Sequence, residues 1–186
     1  MIEVEIKLPI EDWESMITSL KKMGFVEGGF VREEDVYFDN HSGQIRKNGE
    51  ALRVRRITDL LTNQEEMVIT YKGRKMDQVS MSRKELETGV KDADVCIGIF
   101  EALGFHVVPP KVVKTRQEYT FDQIHACMDT VENLGNFLEL ELVIAEEEGK
   151  EAALQEIEKV LQRLGYALKD TVRNSYLSML QHVEDE

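Results

Sequence analysis

The sequence predicts an α+β domain in which about eight strands are joined as hairpins or through helices. Three observations predict it. Residues 1–8 alternate strictly, with Glu3, Glu5 and Lys7 on one face of an extended strand and Ile2, Val4, Ile6 and Leu8 on the other. The same Glu-x-Glu arrangement returns at Glu85 and Glu87 and again at Glu139 and Glu141. Each such strand is followed by a helix-like segment ending in glycine and an aromatic: Met23-Gly24-Phe25, Leu103-Gly104-Phe105 and Leu164-Gly165-Tyr166.

After the first strand, Pro9, Glu11 and Asp12 suit the opening of a helix that runs to about Met23, with Trp13, Met16, Ile17 and Leu20 as its apolar stripe. Gly24 is the expected left-handed stop, and Gly28-Gly29 reads as a turn. Asp35-Val36-Tyr37-Phe38-Asp39 reads as a short strand, followed by a polar loop at residues 41–43 and a tight-turn signal at Asn48-Gly49. Strands at residues 51–57 and 67–72 form a hairpin through Thr62-Asn63-Gln64. Arg53 and Arg55 share a face of the first strand, Thr70 and Lys72 a face of the second. Residues 79–87 make a weaker strand, because Ser80, Ser82 and Lys84 occupy what should be its apolar face.

A helix over residues 92–103 carries Val95, Ile99 and Leu103 on one side, and Pro109-Pro110 breaks the chain before the second half. There the alternation resumes. A strand at 113–121 has Lys114, Arg116 and Glu118 on one face, Asp122-Gln123 turns the chain, a strand at 124–131 projects Asp129, and another follows at 136–144. An acidic helix at 147–164 and a last helix from about Asn174, with Tyr176, Leu177 and Leu180, finish the pattern; residues 184–186 are expected to fray. No linker or low-complexity stretch divides the chain, so residues 1–186 read as one domain.

At 186 residues, 42% hydrophobic and 32% charged, the chain can bury a real core and has an ordinary soluble composition. A net charge of −13 argues against a general nucleic-acid or anionic-membrane surface. No leader and no apolar run of membrane-spanning length is seen, so no membrane partner is expected and the cytoplasm is the expected location. Cys96 and Cys127 have no metal or redox spacing and read as small core residues in a reducing compartment. His41, His106, His125 and His182 are scattered, and no glycine-rich phosphate loop or serine–histidine motif is present.

What sets the strands apart is the kind of polar face they carry. Glu3, Glu5, Glu85, Glu87, Glu118, Asp129, Glu139 and Glu141 supply eight acidic groups; Lys7, Arg53, Arg55, Lys72, Arg83, Lys114 and Arg116 supply seven basic ones. Two arrangements accommodate this near-neutral set. It can line the wet lumen of a closed barrel, which eight strands suffice to form, or it can make a solvated, salt-bridged sheet face. A dry lumen is excluded, because each buried ion would lose several kcal/mol of hydration. In a lumen, clustered carboxylates would bind a hard divalent cation such as Mg²⁺ or Mn²⁺, and the arginines and lysines would grip phosphate oxygens.

Glu3-Val4-Glu5-Ile6-Lys7 resembles the N-terminal signature of the CYTH superfamily, the triphosphate tunnel metalloenzymes. Asp35-Val36-Tyr37-Phe38-Asp39, Leu52-Arg53-Val54-Arg55, Tyr71-Lys72-Gly73, Arg83-Lys84-Glu85-Leu86-Glu87, Lys114-Thr115-Arg116, Asp129 and Glu139-Leu140-Glu141 agree in order. The likeness covers almost the whole chain and is greatest to class IV adenylyl cyclases of the CyaB type, which Ser175-Tyr176 also suits. The resemblance implies an eight-stranded antiparallel β-barrel, a triphosphate tunnel with helices packed outside. It implies Glu3, Glu5, Glu139 and Glu141 as metal ligands, with Glu87 and Asp129 supporting them. It also implies triphosphate binding by Lys7, Arg53, Arg55, Lys72, Arg83, Lys114 and Arg116, and a homodimer by analogy. Lys7 is the candidate catalytic proton acceptor.

The expected activity is therefore a Mg²⁺- or Mn²⁺-dependent adenylyl cyclase that converts ATP into cyclic AMP and pyrophosphate. The alternatives are a triphosphatase acting on thiamine triphosphate or inorganic triphosphate, and a non-catalytic polyphosphate-binding module. No residue reads adenine from the sequence.

Overall fold

The structure is a computed structural model that describes residues 2–76 and 79–184. Met1 of the expected first strand, and residues 185–186 of the expected frayed end, lie outside the described residues. Along the chain the elements are β1 (Ile2–Pro9), α1 (Trp13–Lys22), β2 (Val26–Asn40), α2 (Gln44–Lys47), β3 (Ala51–Asp59), β4 (Glu65–Lys72), β5 (Arg83–Val90), α3 (Ala93–Ala102), β6 (Phe105–Phe121), β7 (Ile124–Val131), β8 (Gly135–Ile144), α4 (Lys150–Arg163) and α5 (Tyr176–Glu184). The eight strands pair antiparallel and close into a barrel in the order β1-β5-β4-β3-β2-β6-β7-β8. No described helix is long and apolar enough to cross a membrane.

The apolar core lies outside the barrel, between strands and helices. Val4, Ile6 and Leu8 of β1 join Ala126 and Met128 of β7 and Leu138, Leu140 and Leu142 of β8 beneath Met16 and Leu20 of α1 and Ala153, Ile157 and Leu161 of α4. Strand period and helix period meet here: every second strand residue faces every third or fourth helix residue. The other side chains of those strands must then point into the barrel. A smaller cluster, Val112, Val131 and Phe137 with Tyr176 and Leu180 of α5, packs α5 against β6 and its neighbours.

Several boundaries differ from the sequence reading. Pro9 stays in β1, and α1 begins at Trp13 because the Asp12 side chain accepts the Ser15 amide at 2.9 Å as its N-cap. Gly28-Gly29 is not a turn but a register shift within the 15-residue β2, where a side chain on Gly29 would press the Glu118 carboxylate at 3.0 Å. The short strand expected at residues 35–39 is thus part of a longer one. The Asn48-Gly49 signal ends the short helix α2, with Gly49 at φ +71°.

Pro109 and Pro110, joined by a cis peptide, do not break the chain; they lie inside the 17-residue β6. They face the shift in register between Asp35 and Tyr37 of β2, a place where a missing N–H costs no ladder bond. β5 starts only at Arg83, while Ser80, Met81 and Ser82 are buried before it and the Met81 amide donates to the Glu5 carbonyl at 2.9 Å. On α3 the expected stripe is turned outward, with Val95, Ile99 and Leu103 exposed. Ala93, Ile97 and Phe100 pack on Phe38 and Val54 instead. That helix is apolar nearly all round, so spacing alone does not select its buried side. Cys96 is half-buried beside them and Cys127 is buried. The acidic helix opens with a 3-10 turn, Glu147–Gly149, before α4, and the last helix begins at Tyr176.

Candidate active site

Alternation along each strand decides what enters the barrel. β1 contributes Glu3, Glu5 and Lys7; β3 contributes Arg53 and Arg55; β4 contributes Lys72; β5 contributes Arg83 and Glu87. β6 adds Lys114 and Arg116, and β8 adds Glu139 and Glu141, all around one cavity of about 1280 Å³. Ordinary small-ligand pockets run to roughly 300–1,000 Å³, so this one has room for a polyphosphate together with its water. The charged faces of the strands line an interior and not an outer surface.

Two territories divide the wall. The first is anionic. Register sets Glu5 opposite Glu141 across β1 and β8, and carboxylate oxygens of Glu3, Glu5 and Glu141 lie within 4.8 Å of one another. Burial and then Glu139 push the Glu5 carboxyl up; burial and then Glu3 push Glu141 well up. Glu85 is pushed up to about 8 by burial and by its hydrogen bond with Glu3. Glu3, although burial opposes it, is held down to about 2 by Lys72, whose Nζ is 3.1 Å away. Like-charged oxygens crowded this closely are the donor set a hard divalent cation takes, and they fit one.

The second territory is cationic, and its charges are braced from behind. Asp129 is fully buried and accepts from Lys114 at 2.8 Å, from two nitrogens of Arg116 at 2.7 Å and from the Tyr176 hydroxyl at 2.9 Å. Asp35 takes Arg55 in a two-pronged pair at 2.6 and 2.8 Å and Arg53 at 3.4 Å. Glu33 pairs with Arg55 at 2.8 Å and Lys114 at 3.2 Å. Despite burial, these cations hold Glu33 and Asp35 below the usual carboxylate range. Lys7 pairs with Glu139 at 3.0 Å and sits 3.9 Å above the Tyr176 ring. Glu139 also receives Arg116, and against its burial Lys7, Lys114 and Arg116 hold it well below the usual range.

The structure thus brings Glu3, Glu5 and Glu141 together and sets the other expected ligands apart. Glu139 is occupied by cations. Glu87 stands at an exposed position and accepts the Thr70 hydroxyl at 2.6 Å. Asp129 lies behind the wall. The expected phosphate-binding residues Lys7, Arg53, Arg55, Lys72, Arg83, Lys114 and Arg116 all reach the cavity. Sequence reasoning left Glu33, Asp35, Tyr176, Lys75 and Arg173 out of the site. Glu33 and Asp35 keep the i, i+2 spacing of the inward face, which an earlier start for β2 would have revealed. The other three reach the cavity from a loop and from the segment entering α5, and no periodicity marks them.

Residues 1–176 match the family described as the CYTH domain. This chain belongs to the CYTH family. A Methanocaldococcus jannaschii protein named "putative adenylate cyclase" is 38% identical over 182 residues, 96% of this chain and 98% of that one. A Pyrococcus horikoshii protein of known structure superposes with a TM-score of 0.88 at 32% identity, covering 97% of this chain and 99% of its own. A Hippeastrum protein, described as an adenylyl cyclase candidate with a dominant triphosphatase activity, shares the fold at a TM-score of 0.66 and 16% identity, over 98% of this chain and 95% of its own. The CYTH barrel explains why charged side chains point inward: membership of a tunnel metalloenzyme family implies dependence on a divalent metal, for which the Glu3, Glu5 and Glu141 oxygens are the fitting donors.

Proposed function

We propose that this CYTH protein is an adenylyl cyclase that, with Mg²⁺ or Mn²⁺, closes ATP into cyclic AMP and releases pyrophosphate. One observation carries the reading: a carboxylate cluster and a braced set of lysines and arginines face the same cavity. Such a wall suits a chain of phosphates that needs a cation on one side and hydrogen-bond donors on the other. The name of the M. jannaschii relative, 38% identical along nearly the whole chain, favours the cyclase.

In this reading Glu3, Glu5 and Glu141 hold the metal, which when bound neutralises charge on the phosphate oxygens. Arg53, Arg55, Lys72, Arg83, Lys114 and Arg116 bind the triphosphate; Asp35, Glu33 and Asp129 brace Arg53, Arg55, Lys114 and Arg116 and fix them before substrate arrives. Lys7, held between Glu139 and the Tyr176 ring, suits gripping phosphate better than accepting a proton.

A triphosphatase would use the same wall with water as nucleophile, and the Hippeastrum protein described as a dominant triphosphatase has this fold. Incubation with ATP, thiamine triphosphate or inorganic triphosphate plus Mg²⁺ or Mn²⁺, with product identification, separates the readings. Cyclic AMP with pyrophosphate supports the cyclase; inorganic phosphate with the shortened phosphate chain, and no cyclic AMP, supports the triphosphatase; no product refutes both.

A further inference from the structure

The cavity holds a lysine unlike its neighbours. Lys75 lies in the segment between β4 and β5, half-buried, and lines the same wall as Arg53 and Arg83. Its Nζ donates to the backbone carbonyl of Arg173, in the segment that enters α5. Lys7, Lys72 and Lys114 are each fixed on a carboxylate, at 3.0 Å from Glu139, 3.1 Å from Glu3 and 2.8 Å from Asp129. Among the described residues, Lys75 has no carboxylate within ion-pair reach.

The charges around it are mostly of its own sign. Arg83 faces it from β5, Arg173 from the segment before α5 and Lys7 from β1; among the described residues Glu5, also on β1, opposes them. Burial first, and then these cations, lower the Lys75 ammonium to about 8. The arginines of the wall cannot release a proton, and the other three lysines would have to give up an ion pair to do so.

We propose that Lys75 is the proton acceptor of the reaction, an assignment that rests on the triphosphate-enzyme reading above. Its neutral amine takes the proton of the attacking hydroxyl as that oxygen bonds to phosphorus. The bond from phosphorus to the bridging oxygen breaks, and its electron pair leaves with the departing phosphate. In ring closure the hydroxyl is the ribose 3′-OH, the phosphorus is the α-phosphorus and pyrophosphate departs. In hydrolysis the hydroxyl belongs to water, the phosphorus is terminal and the shortened phosphate chain departs. The ammonium then returns its proton to solvent. A base poised near neutrality serves this purpose best.

The test compares wild type, Lys75→Met and Lys75→Arg as full-length proteins. Product formation is followed from pH 6 to 10 on ATP, thiamine triphosphate and inorganic triphosphate, and tripolyphosphate binding is measured by calorimetry. Wild type should show a rise in kcat toward pH ~8, and both variants should lose that rise and about 10²–10³-fold in kcat. Both should bind tripolyphosphate within about threefold of wild type, since the loss falls on a step after binding. Arginine retains the charge but never becomes a base, so it should not rescue turnover. Either of two results overturns the assignment: a wild-type kcat and pH profile in Lys75→Met, or a raised KM that Lys75→Arg restores. Wild type that consumes no triphosphate overturns the reading of the site itself, and Lys75 as acceptor with it.

Discussion

Replacing Asp129 with asparagine separates a brace from a metal ligand by the sign of a stability change. The side chain is fully buried and accepts from Lys114, Arg116 and Tyr176. Removing one partner of a buried ion pair costs about 3–5 kcal/mol, because the remaining charge is left dry and uncompensated. Here both cations keep a second partner, Glu33 at 3.2 Å from Lys114 and Glu139 beside Arg116. The lower end, ~3 kcal/mol, is therefore expected. For a domain of this size each kcal/mol moves Tm by about 2–4 °C, so Asp129→Asn should lower it by ~6–12 °C. Circular dichroism on metal-free protein at pH 7 measures this. Added tripolyphosphate should recover more of the loss in the variant than it adds to wild type, by supplying the missing negative charge. An unchanged or raised Tm in metal-free protein would mean that Asp129 is not a brace but stands with the metal ligands it was expected, from the family resemblance, to support.

Three further outcomes follow from the same geometry. Glu141→Gln replaces a carboxyl that burial and Glu3 already push toward its protonated form, so metal-free protein should hold or gain Tm while the Tm rise produced by Mn²⁺ shrinks; an unchanged Mn²⁺ response would remove Glu141 from the ligand set. Glu85 is pushed above its ordinary 4.5 to about 8, so the fold favours its protonated form. Stability from that group is complete below about 4.5 and is lost as pH rises through 8. Metal-free Tm should fall between pH 5 and 8, and Glu85→Gln should flatten the fall; equal slopes in the two proteins would contradict this. Tyr176→Phe loses the 2.9 Å bond to Asp129 but keeps the ring beneath Lys7, so urea unfolding should show a loss of about 1.5–3 kcal/mol with substrate KM unchanged. A change of KM without a change in stability would place the hydroxyl on the substrate instead.

Period-two alternation made most of the barrel legible. Glu3, Glu5 and Lys7 opposite Ile2, Val4 and Ile6 specify a strand with a charged side, and the recurrence at Glu139 and Glu141 identifies its partner across the closure. The sequence does not distinguish a wet lumen from a solvated face, because that depends on which side the helices cover. The α3 stripe shows the same limit: Val95 and Ile97 are equally apolar, and only contact with Phe38 and Val54 decides which is buried. Prolines 109 and 110 misled for a local reason, since their fault in one strand is matched by a shift in register in β2. Asp129 illustrates the deepest ambiguity. A carboxylate that binds a metal and one that anchors two cations have the same strand position, and only the surrounding side chains tell them apart. Lys75 and Tyr176 join the site through a loop and a chain-terminal helix, a placement set by tertiary packing.

In this reading one barrel interior holds a metal on its carboxylates and a triphosphate on its cations. A crystal grown with Mn²⁺ and tripolyphosphate, measured at the manganese anomalous edge, tests it most directly. A manganese peak is expected between Glu3, Glu5 and Glu141, with phosphates against Arg53, Arg55, Lys114 and Arg116. Manganese bound elsewhere, or tripolyphosphate outside the barrel at full occupancy, would contradict it.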